Sequence, residues 1–87
     1  MDQILNYIAG KLQKPISNNY LDNINPAEGK VYSSLPDSDF TDVQKAVEAA
    51  SNAFPMWSTM LASKRAEILL KIAELIDRDL DKLALAE

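Results

Sequence analysis

The 87-residue chain contains no cysteine and no histidine. The first absence excludes disulfides, thiolate catalysis and cysteine-based zinc sites. The second removes the commonest general base and transition-metal ligand. Only two glycines occur, Gly10 and Gly29, too far apart to build a glycine-rich phosphate cradle. Positive charge is in deficit: nine Lys and Arg stand against thirteen Asp and Glu, a formal net charge of −4. No basic stripe offers itself to nucleic acid. Apolar runs such as Ile68-Leu69-Leu70 stop after a few residues, far short of a membrane span. The start, Met1-Asp2-Gln3, lacks the basic region and apolar core of a signal peptide. The expectation is a cytoplasmic chain with neither nucleic acid nor membrane among its partners. What is present is a globular composition, 47% hydrophobic and 25% charged. That suffices for one small domain of marginal stability.

The pattern changes partway along the chain. Residues 1–40 hold both glycines and three of the four prolines. Leu5-Asn6-Tyr7-Ile8, then Ala9-Gly10, then Lys11-Leu12 reads as strand, tight turn and strand. A further strand is expected around Tyr20–Ile24. The turn Asn25-Pro26-Ala27-Glu28-Gly29 follows it, with proline fixing φ and glycine supplying a positive φ. Val31, Ser33 and Leu35 share one face of a last strand ending at Pro36, which predicts one small antiparallel sheet.

Residues 41–87 take a period near 3.6. Thr41 and Gln44 form a capping-box pattern, and Val43, Ala46, Val47, Ala50, Ala53 and Phe54 make one apolar stripe. Pro55 is expected to end this helix at Phe54. A second helix is expected from about Leu61 to Ala86, with Glu67–Lys71 and Glu74–Arg78 as i,i+4 pairs. Leu70, Leu75 and Leu85 fall off its main apolar face, so this helix seeks more than one neighbour. The fold class is an α+β fragment: short antiparallel strands followed by two helices. Its strand element is 1–40 and its two-helix element 41–87, together one partial domain.

Few residues suggest chemistry. Asp37, Asp39, Asp42 and Glu48 mimic a calcium loop, but Asp42 stands where that loop needs glycine. Capping of the helix start explains those carboxylates better. Trp57, flanked by Met56 and Met60, is expected to pack with Phe54 in the core at the corner between the helices. Arg65, next to Lys64, is expected to form an ion pair rather than hold a phosphate. Asp77-Arg78-Asp79-Leu80-Asp81-Lys82 reads as a solvated face of mixed sign.

The ordered segments together carry a resemblance. Tyr7-Ile8-Ala9-Gly10-Lys11, Asn25-Pro26-Ala27-Glu28-Gly29-Lys30-Val31 and Leu35-Pro36 come first. Asp42-Val43, Ala46-Val47, Ala49-Ala50 and Ala53-Phe54-Pro55-Met56-Trp57-Ser58 follow, then Arg65, Ile68-Leu69, Ala73 and Leu75-Ile76. In this order and spacing the chain resembles the N-terminal end of the NAD(P)-dependent aldehyde dehydrogenases. Gly29-Lys30-Val31-Tyr32 and the Phe54–Ser58 corner look most like the muconic-semialdehyde subgroup, such as the 2-aminomuconic and hydroxymuconic types. Leu61-Ala62-Ser63-Lys64 departs from the Pro and Glu often found in the family before the helix-starting Arg.

The resemblance implies an α/β enzyme fold of which this chain is a scaffold part of the coenzyme-binding domain. It implies oxidation of an aldehyde by a cysteine thiolate, hydride transfer to NAD or NADP, and hydrolysis by glutamate-activated water. All of those residues lie outside this segment of the family, so no catalytic or coenzyme-binding residue is assigned here. It also implies that the backbone carbonyls of Asn23 and Ile24 help to hold a Na+ or K+ ion. The implied partners are the remainder of the subunit and, in the full-length family, a homodimer or homotetramer. The rival reading is a freestanding α+β interaction module or a truncated, inactive gene product.

Overall fold

A computed structural model describes residues 2–87. Five strands precede three helices: β1 (Asp2–Gln3), β2 (Asn6–Ile8), β3 (Lys11–Gln13), β4 (Tyr20–Asn25), β5 (Lys30–Pro36), α1 (Phe40–Thr59), α2 (Ala62–Arg78) and α3 (Leu80–Ala86). The chain is a small α+β piece of two compact units, one ending at Ala53 and one covering Phe54–Glu87.

Both glycine turns form where the sequence places them. Ala9 and Gly10 take φ of 54° and 78° between the antiparallel β2 and β3, a two-residue turn whose twist suits a hairpin. At the second turn, Asn25 Oδ1 accepts the Ala27 amide at 3.0 Å, and the Asn25 carbonyl accepts the Gly29 amide at 2.7 Å. Gly29 closes this loop at φ 68° and lets β4 run back along β5. Instead of one antiparallel sheet, however, two form: the β2–β3 hairpin alone, and a three-stranded sheet in the order β1-β5-β4. β1 joins the latter parallel to β5, aligning Asp2 with Ser33. A two-residue strand has no periodicity to read; its pairing is fixed by tertiary position, and the Ile4 amide extends it to the Ser34 carbonyl at 2.8 Å.

The helices differ from the expected pair in three ways. First, α1 starts two residues earlier, and its cap is Asp39 rather than Thr41. Second, Pro55 lies inside α1, which continues to Thr59. Proline removes one amide, but the turn beyond it is tied back to the Pro55 carbonyl. The Thr59 hydroxyl donates to that carbonyl at 2.8 Å and the Ser58 hydroxyl at 3.2 Å. Third, the second helix breaks at Asp79, whose φ of −103° and ψ of 21° leave the helical region. Arg78 grips the Asp79 carboxylate through Nε at 3.1 Å and Nη2 at 2.9 Å. That fork holds the Asp79 carboxyl below the usual carboxylate range and raises the Arg78 guanidinium. The ion pairs along α2 are Lys64–Glu67 at 3.6 Å and Lys71–Glu74 at 3.5 Å, at i,i+3 rather than the expected i,i+4. Both spacings bring helix-surface charges within reach, and exposed side chains choose between them at little energetic difference.

Burial is sparse. Among the described residues, Ile8 and Pro15 are the buried apolar side chains, and α2 buries none. Phe54 is 64% exposed and Trp57 37%, so this chain's own residues do not bury the corner. The accessible surface is 7244 Å². A compact 9.7 kDa body would expose roughly 5,100 Å², and two separate compact bodies of these lengths roughly 6,100 Å².

Candidate functional site

Asn23 and Ile24 are neighbours on β4, at the place where its pairing with β5 steps out of register. Asn23 lies opposite Ser33, Ile24 opposite Val31, and Tyr32 is the extra residue of the bulge. The Asn23 amide nitrogen donates to the Ser33 hydroxyl at 2.9 Å, and Ser33 is buried. A bulge interrupts the regular ladder and redirects local backbone groups. Two carbonyls alone are too few to enclose a hard cation.

The helix start that might have bound an anion is occupied by carboxylates. Asp39 Oδ1 accepts the Thr41 and Asp42 amides at 3.0 and 3.2 Å, and Asp42 Oδ2 accepts the Asp39 amide at 3.1 Å. The other Asp42 oxygen accepts the Ile16 amide at 3.0 Å, fastening the β3–β4 connection to α1. Asp42 is 4% exposed. These contacts account for Asp39 and Asp42 as structural groups. The shared-cap pattern, Asp followed three residues later by Asp, is legible in the sequence in retrospect; the bond to Ile16 is not. A cleft of about 180 Å³ beside them is lined by Asn6, Tyr7, Ile8, Ser38 and Val43 among others, and Asn6 spends its amide on the Ser38 hydroxyl at 2.8 Å.

In the second unit, Trp57, Ala62, Arg65, Ala66 and Leu69 line an open groove of about 340 Å³. Arg65 does not form the expected ion pair. Lys64 takes Glu67, Lys71 takes Glu74 and Arg78 takes Asp79, while Arg65 has no ion pair among the described residues. Its Nε is buried without a hydrogen-bond partner, as is the Tyr20 hydroxyl in the first unit. The sequence names Arg65 but gives no sign of its isolation.

The comparisons with known proteins agree with this picture of a part. The model of the aldehyde dehydrogenase family matches residues 13–87. An aldehyde dehydrogenase of Vibrio cholerae serotype O1 is 43% identical over 82 residues, which are 94% of this chain and 16% of that protein. The 2-aminomuconic semialdehyde dehydrogenase of Bos taurus is 42% identical over 82 residues, again 94% of this chain and 16% of its own length. A long-chain-aldehyde dehydrogenase of an Acinetobacter species is 37% identical over 86 residues, 99% of this chain and 17% of its own length. The chain belongs to the aldehyde dehydrogenase family, and it spans about a sixth of the length of these curated relatives.

Proposed function

We propose that this chain is an N-terminal scaffold of an aldehyde dehydrogenase that oxidises an aldehyde to a carboxylic acid with NAD or NADP. The observation that carries the reading is the missing core. A segment matched to the family buries almost none of its apolar side chains. Its surface exceeds that of two separate compact bodies by roughly 1,100 Å², about the size of one side of a protein interface. The remainder of the subunit is the partner that covers α2, Phe54 and Trp57, and it supplies the nucleophilic cysteine that this chain lacks. The strands and helices here then become one edge of the larger α/β fold, within an oligomer.

The carbonyls of Asn23 and Ile24 belong to this reading as part of a Na+ or K+ site. Carbonyl oxygens suit a hard ion, and the other ligands come from the rest of the subunit.

The test is a chimera: the matched stretch of the Vibrio cholerae aldehyde dehydrogenase is replaced by this chain. Aldehyde-dependent formation of reduced coenzyme is expected in the chimera. A folded but inactive chimera, or one that cannot assemble, would overturn the scaffold role and favour the freestanding module.

A further inference from the structure

Arg65 is among the least exposed residues of the second unit, with Met60, Leu75 and Asp79. A charged group in such a place needs a partner, because a buried guanidinium N–H without an acceptor costs more than a neutral one. Every other ion-paired cation of α2 finds its acid on its own helix or the residue beside it. Arg65 finds none, and its Nε faces no acceptor. The groove beside it has an aromatic wall in Trp57, a shallow floor at Ala62 and Ala66, and an aliphatic wall in Leu69. The walls are apolar, so once a further segment covers the groove a charge-assisted pair inside it is stronger than the same pair on the surface.

We propose that this groove receives an Asp or Glu side chain from the part of the subunit outside this chain. Its carboxylate accepts the Nε–H and one Nη–H of Arg65 together. A carboxylate fits better than a phosphate. One cation balances one negative charge, the neighbouring Lys64 is already engaged with Glu67, and the guanidinium fork matches two carboxylate oxygens. The acid is carried by a segment otherwise apolar, as Trp57 and Leu69 require. Arg65 is thus a positioning residue that registers this scaffold against the rest of the enzyme. The inference rests on the scaffold reading above.

The experiment uses the chimera with Arg65→Lys and a water-soluble carbodiimide. The reagent activates a carboxylate, the lysine amine displaces it as the urea, and an amide joins the two groups. Mass spectrometry of the digest should find position 65 linked to one Asp or Glu of the host portion, a link absent from the parent chimera. Arg65→Gln should lower the unfolding midpoint of the chimera, and Arg65→Lys should recover part of that loss. An active chimera with no such link, or with a link only to an acid of residues 1–87, overturns the proposal and leaves the scaffold reading standing. A chimera that does not assemble overturns both.

Discussion

Asp39 and Asp42 cap each other across the first turn of α1. Asp39 Oδ1 accepts the Asp42 amide at 3.2 Å while Asp42 Oδ2 accepts the Asp39 amide at 3.1 Å. Asp42 then spends its second oxygen on Ile16, in the connection between β3 and β4. Asp42→Ala therefore removes a nearly buried carboxylate and the acceptor of two amides in part-buried bonds. The expected cost is about 2–4 kcal/mol, against about 1 kcal/mol for Asp39→Ala, which loses a cap alone. Urea denaturation of the chimera carrying each variant measures both. Equal costs would show that the Ile16 bond contributes nothing.

The strand turns test backbone strain without side-chain contact. An added Cβ at Gly29 would meet nothing within 4 Å, so the penalty of Gly29→Ala comes from its φ of 68° alone. About 1 kcal/mol is expected. Ala9 already holds φ at 54°, and Ala9→Asn would give the Asn-Gly pair that this turn type favours. That change should stabilise by a few tenths of a kcal/mol, up to about 1. Opposite signs for the two variants in the same denaturation assay are the expected outcome.

These turns were legible because proline, glycine and asparagine act over a few residues. The hairpin of β2 and β3, the Asn25–Gly29 turn and the existence of α1 and α2 follow from such local signals. Where the reading failed, distant or competing contacts decided. Pro55 predicted a stop, yet Ser58 and Thr59 hydroxyls bound to its carbonyl carry α1 onward. Asp79 interrupts an unbroken helical periodicity beside its fork with Arg78. Of the candidate site, Arg65 was visible as a residue but not as an unpaired one. Isolation depends on which cation takes which acid, and i,i+3 and i,i+4 spacings leave that choice open.

Trp57 distinguishes burial by this chain from burial by the rest of the enzyme. In the chain alone it is 37% exposed, so Trp57→Ala should change the helicity and melting of the isolated chain little. In the chimera the same change should cost about 3–5 kcal/mol, as for a core aromatic. The helicity of the isolated chain and the denaturation midpoint of the chimera, each with and without the substitution, make the measurement. An unchanged midpoint in the chimera would mean that nothing covers the Trp57 corner.

The isolated chain should associate with itself or melt without cooperativity. Val43, Val47 and Phe54 on α1, and Ile68, Leu69, Ile72 and Ile76 on α2, are all at least 42% exposed. So much apolar surface on so short a chain seeks cover from any neighbour. Sedimentation equilibrium together with binding of an apolar dye reads this out. A monomer that binds no dye and melts in one sharp transition above about 60 °C would contradict the missing-core argument.

The chain alone should neither oxidise aldehydes nor bind NAD+ or NADP+. Covalent aldehyde oxidation by the thiolate route begins with a hemithioacetal, and no cysteine is present to form one. A dinucleotide fold meets the pyrophosphate with free backbone amides at a glycine turn or helix start that follows a strand. At α1, Asp39 takes the Thr41 and Asp42 amides, and the two carboxylates of Asp39 and Asp42 would repel an incoming pyrophosphate. At Gly29, the turn leads into β5 rather than a helix, and its amide is held by the Asn25 carbonyl. Titration calorimetry with both coenzymes, beside an absorbance assay for reduced coenzyme over a panel of aldehydes, provides the check. No saturable heat and no turnover above a no-protein control are expected. Millimolar or tighter binding by the isolated chain would show a nucleotide site that these two starts do not contain, and the scaffold role would have to give way to a coenzyme-binding one.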